Sequence, residues 1–106
     1  MLFLVMSTPR PDHPSSVVAA RKRYWTWMQP LLDSGAARAV YARVGRGAVA
    51  LFDVDSTDSL HRLINEWSDI IPAHFDIYPL LDPRAAQRFL DTQGPTPRRA
   101  RRARRT

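Results

Sequence analysis

Three side chains at period two, His74, Asp76 and Tyr78, are the most reactive group in this sequence. On a strand this spacing puts all three on one face. A histidine beside a carboxylate can be tuned toward a general base, and a tyrosine can polarise a carbonyl or return a proton. The bland alternative is a face turned to solvent or to another subunit, with the three residues hydrogen-bonded to each other. Tyr41 and Arg43 share a strand face in the same way. An arginine there would neutralise an enolate or carboxylate oxygen, or simply pair with Asp53 or Asp76. His61 is expected on a helix, where it either reaches substrate at the sheet edge or is only structural. Tyr24, Trp27 and Trp67 bring aromatic area for clamping a carbon skeleton, although a stripe of aromatics at helical spacing also makes a core. Trp25 and Trp27 cannot both point the same way, so one of them should border a cavity or an interface.

Other chemistries lack their residues. The chain has no cysteine and three histidines that never stand at metal-ligand spacing. Gly45-Arg46-Gly47 is not a phosphate-binding fingerprint, because no helix is expected to follow it. No nucleophile elbow occurs. No cofactor and no metal are therefore expected, and the expected partner is a small-molecule substrate.

These residues must be positioned by a chain of 106 residues, enough for one domain. The apolar run Leu2–Met6 reads as a central strand; it is too short for a signal peptide core or a membrane span. Pro9, Pro11 and Pro14 make a stiff loop. Ser15 or Ser16 is expected to cap a helix running to about Leu32, with Gly35 closing it and Pro30 kinking it or fraying its last turn. Ala37–Val44 and Ala48–Val54 are strands joined at Gly45-Arg46-Gly47, a tight hairpin. Asp55 or Ser56 starts a second helix with Leu60, Leu63, Ile64 and Trp67 as its buried stripe. Ala73–Leu81 is the last strand, where Pro79 either weakens the pairing or marks a sheet edge, and Asp82-Pro83 opens a short helix through Leu90.

The order βαββαβ is the ferredoxin-like arrangement: α+β, with a four-stranded antiparallel sheet and both helices on one face. Residues 1–93 form this domain, and residues 94–106 are expected to be a disordered, arginine-rich tail. Charge divides at the same point. Residues 1–93 hold ten Arg or Lys and ten Asp or Glu, so the whole net charge of +6 lies in Arg98, Arg99, Arg101, Arg102, Arg104 and Arg105. Specific nucleic-acid binding is not expected, because the domain lacks a basic stripe. A soluble, cytoplasmic protein is expected, and a second subunit is the simplest cover for the free face of the sheet.

The stretch Leu51-Phe52-Asp53-Val54-Asp55-Ser56-Thr57-Asp58-Ser59-Leu60-His61 resembles the muconolactone isomerases, in which a Phe-Asp-Val strand end leads into a helix bearing Leu-His. Phe75-Asp76-Ile77 and the opening Met1-Leu2-Phe3 fit the same family, and the resemblance spans roughly residues 1–82. It implies a dimeric α+β barrel and a cofactor-free proton shift beside a lactone carbonyl. The first helix departs from the family, with no carboxylate between Asp12 and Asp33. The expected activity is an isomerase or cyclase acting on a lactone, polyketide or aromatic intermediate of secondary metabolism. His74 and Asp76 would act as base, Tyr41 or Arg43 would hold the oxyanion, and Tyr24, Trp27, His61, Trp67 and Tyr78 would contact substrate. Non-catalytic small-molecule binding and cofactor-free oxidation of an aromatic are the alternatives.

Overall fold

Alternation along the first strand organises the molecule. In the computed structural model, which describes residues 1–94, β1 (Leu2–Pro9) buries Phe3, Val5 and Ser7 and leaves Leu2, Leu4 and Met6 half-covered. β1 is central in the sheet order β2-β3-β1-β4, with every neighbouring pair antiparallel. The other strands are β2 (Ala37–Ala42), β3 (Ala48–Asp53) and β4 (Ala73–Leu80). Two helices, α1 (Val18–Ser34) and α2 (Thr57–Ile70), complete the ferredoxin-like βαββαβ unit, and α3 (Pro83–Gln93) is appended to it.

Small residues let the helices come close to the sheet. Ala37, Ala48 and Ala50 are buried beside Val5 and Phe52, and Tyr24, Met28, Leu60, Leu63 and Trp67 close over them. Trp67 is the hub. Its ring lies 4.9 Å from Tyr24, 5.2 Å from Phe75 and 6.2 Å from both Phe52 and Trp27, centroid to centroid. Edge-on and tilted contacts of this kind add to the area the rings bury.

Most local signals act as their chemistry dictates. Ser56 caps α2 by accepting from the Ser59 amide at 3.1 Å. Gly35 ends α1 in the left-handed region at φ 87°. β4 is an edge strand, which tolerates Pro79. The start of α1 differs from expectation. A 3₁₀ turn over Pro14–Val17 leads into it, and neither Ser15 nor Ser16 caps it. Ser16 instead donates to the His13 carbonyl at 2.8 Å. α1 continues through Pro30 to Ser34, two residues past the expected end. β1 also runs to Pro9, because Thr8 and Pro9 pair with His74 and Ala73. The arginine tail from residue 95 onward lies outside the described residues.

Candidate functional site

The sheet register separates the expected site residues into two groups. Antiparallel partners share a face. Tyr78, Asp76 and His74 lie opposite Leu4, Met6 and Thr8, so they belong to the face away from the helices. Tyr41 lies opposite Val49 on that same open face and is 71 % exposed. His74 Nε2 stands 3.3 Å from Asp76 Oδ1, so the expected histidine–carboxylate pair does form, on the open side of the sheet. Tyr24, Trp27 and Trp67 pack on the helix side. No single site can therefore hold the His74 base and the aromatic clamp against one small substrate. Four strands of period-two alternation stand between them.

Other expected residues also have defined places. His61 is exposed on α2 and is held by Asn65, whose Nδ2 is 3.2 Å from His61 Nε2 and 2.8 Å from the His61 carbonyl. Trp27 donates its indole N–H to Glu66 Oε1 at 2.9 Å, tying α1 to α2. Trp67 is 1 % exposed and serves the core first. Trp25, the other member of the closely spaced pair, is 45 % exposed and borders a cavity.

That cavity lies where the β2–β3 hairpin meets the first half of α1. It has about 100 Å³ of free space and is walled by Ser7, Tyr24, Trp25, Trp67, Ala48 and Gly47, with Arg21, Arg43 and Arg46 also lining it. Each element contributes through a local rule. The strand β2 ends at Ala42, and Arg43 follows it at the start of the hairpin turn. Its guanidinium donates to the Ser7 carbonyl at 2.8 Å and to Thr8 Oγ1 at 3.1 Å. Tyr41 does not line the cavity, whereas Arg43 does and also reaches Thr8, whose side chain belongs to the open face.

Gly47 makes that end possible. Its φ is 102°, and a Cβ there would fall 2.4 Å from the Ser7 carbonyl oxygen and 3.4 Å from Arg43 Cδ. Only glycine combines that backbone with that approach. Ser7, 3 % exposed, is fully used: its Oγ accepts from the Ala48 amide at 2.9 Å and reaches the Ala48 carbonyl at 3.4 Å.

Tyr24 is different. It is 3 % exposed, it lines the cavity, and its buried hydroxyl has no hydrogen-bond partner. Burial pushes the phenol well above its ordinary range, so it is a neutral donor at physiological pH. The cavity walls carry no carboxylate and no imidazole. They present a phenolic donor and guanidinium groups, the donor types suited to negative charge on an oxygen.

A wider, shallower depression at the other end of the sheet is bordered by Met1, Leu31, Asp53, Asp55 and Arg62. Its acids are already engaged. Arg38 Nε bonds Asp53 Oδ2 at 2.9 Å and holds that carboxyl below its ordinary range, and the Ser59 hydroxyl does the same for Asp55 at 2.9 Å. Among the described residues no three His, Asp or Glu side chains gather as a metal site, and no helix is long and apolar enough to cross a membrane.

Arg21, Arg46 and Ser7 are cavity residues that the sequence reading did not single out as site residues. Faint signals existed. Arg21 sits three residues before Tyr24 within an otherwise apolar stripe, Arg46 is held between two glycines, and Ser7 is the polar member of the buried set Phe3, Val5, Ser7.

Fold and cavity together define a ferredoxin-like α+β domain with an arginine- and aromatic-lined cleft between its layers. The chain belongs to the family described as "Domain of unknown function (DUF3303)", which its residues 1–94 match. No curated protein matches it.

Proposed function

We propose that this domain binds a small carbonyl-containing organic molecule in the cleft, without a cofactor, and stabilises negative charge on the ligand's oxygen. The observation that carries this reading is the buried Tyr24 hydroxyl, which lacks a partner beside a half-buried Arg43. An unpaired buried hydroxyl costs about 1–3 kcal/mol, and a ligand oxygen would recover it. The cleft volume suits one ring rather than the fused rings of a polyketide. This favours binding or oxyanion stabilisation over complete acid–base catalysis, because the cleft lining lacks a base.

The isomerase reading, with its resemblance to the muconolactone isomerases, depends on the other face. Leu4, Met6, Val49 and Leu51 share the open face of the sheet with His74, Asp76, Tyr78 and Tyr41. A second copy stacked there would form the dimeric α+β barrel and enclose the His74–Asp76 pair in an apolar setting. Proton transfer would then occur between subunits, in the cytoplasm that the cysteine-free composition suits.

Two measurements separate these readings. Exposure to muconolactone in D₂O, followed by NMR, reports exchange of the protons α to the carbonyl. Exchange that disappears in His74→Ala supports the isomerase. Saturable tryptophan quenching without exchange, lost in Ala42→Phe, supports the binding domain. Neither response would remove both. Ala42 is an exposed residue at the cleft, so the larger ring fills the space without entering the core.

A further inference from the structure

The charge around the cleft is of one sign. Arg21, Arg43 and Arg46 all line it, whereas no acidic side chain does. Among the described residues the ion pairs within 4.0 Å are Met1–Asp53, Arg38–Asp53 and His74–Asp76, so none of these three guanidinium groups has a carboxylate partner. Arg43 and Arg46 are half-buried, where the field of each is less screened than in bulk water. Their hydrogen bonds leave donors over. Arg43 engages only Nη1, and Arg46 makes one long contact of 3.5 Å from Nη1 to the Asp12 carbonyl. A guanidinium with free N–H groups is a planar fork that fits a carboxylate.

The walls and the volume restrict what carries that carboxylate. Tyr24, Trp25 and Trp67 offer ring faces and edges, with Tyr24 and Trp25 nearly perpendicular at 76°. The free space is about 100 Å³. An apolar cavity of about 150 Å³ takes benzene, so this smaller, open cleft is filled by no more than one planar ring, with part of the ring and its substituent left at the mouth among the arginines.

Building on the cleft-binding reading, we propose that the ligand is a planar, single-ring aromatic carboxylate. Its ring lies against Trp25, Trp67 and Tyr24, its carboxylate meets Arg21, Arg43 and Arg46, and the Tyr24 hydroxyl donates to a ligand oxygen.

The test is tryptophan fluorescence of the full chain titrated with benzoate, its neutral isostere benzamide, and inorganic phosphate. Benzoate should give saturable quenching that raised KCl weakens several-fold. Benzamide should bind at least about tenfold more weakly, the value of one charge-assisted contact. Phosphate should fail to displace benzoate. Arg21→Gln and Arg46→Gln should each weaken benzoate several-fold with an unchanged circular dichroism spectrum, and Ala42→Phe should remove the response. Equal binding of benzoate and benzamide would overturn the proposed charge recognition and leave the cleft-binding reading standing. Displacement by phosphate would overturn the aromatic part. Benzoate quenching that survives Ala42→Phe would locate the anion elsewhere, at the six arginines of residues 98–105 for example, and overturn the proposal. No response to either ring compound would overturn it together with the cleft-binding reading.

Discussion

The two faces of one four-stranded sheet have opposite chemistry, although neighbouring residues of the same strands supply both. The helix side holds Phe3, Val5, Ala50 and Phe52 under Tyr24, Met28 and Trp67, and opens at the arginine-lined cleft. The open side carries Leu4, Met6, Val49 and Leu51, together with the titratable residues His74, Asp76, Tyr78 and Tyr41. The phenol and guanidinium groups of the cleft and the His74–Asp76 pair are therefore on different sides. Residue types alone would place them in one active site. The alternation of side chains along a strand forbids it.

The largest effects are expected on the helix side. Trp67→Ala removes the hub of the aromatic cluster and should cost about 3–5 kcal/mol, seen as a large fall in the urea midpoint. A smaller loss would show that the cluster relaxes. Gly47→Ala comes next. The positive φ and the approach to the Ser7 carbonyl should together cost about 1–3 kcal/mol. The hairpin must then move off β1, so the cleft should also lose its ligand.

Tyr24→Phe sharpens the contrast between structure and function. Removing an unpaired buried hydroxyl should raise the stability of the free protein by about 1 kcal/mol, while weakening a ligand that accepts from it. The pH dependence follows from the same residue. The folded phenol titrates above its ordinary value, so above about pH 10 the unfolded chain holds fewer protons than the folded one. Stability should fall as pH rises through that range, and Tyr24→Phe should lessen the fall in alkaline melts.

The smallest effects belong to the open face. His74→Ala or Asp76→Ala should change stability by less than about 0.5 kcal/mol, because the pair is exposed and screened. Neither should alter benzoate quenching. A large effect of either would mean that the open face is covered.

Much of the fold was legible because its signals are local. Gly45-Arg46-Gly47 marks a hairpin, Ser56 marks a helix start, and the βαββαβ order follows from the alternating periods. The boundary of α1 was less legible, since Pro14 starts a 3₁₀ turn that takes Ser16 into its own bonding. The grouping of the site was hardest. Tyr41 and Arg43 appear equivalent in sequence, yet the strand ends between them, and a hydrogen bond to the Ser7 carbonyl decides where Arg43 goes. That bond joins residues 36 positions apart and leaves no trace in spacing.

The most direct test of the account is a pair of amide and indole NMR spectra, with and without saturating benzoate. Ligand binding on the helix side predicts shifts at Ser7, Tyr24, Trp25, Gly47 and Trp67, with His74, Asp76 and Tyr78 unmoved. Shifts confined to His74, Asp76 and Tyr78 would place the ligand on the open face and contradict the account.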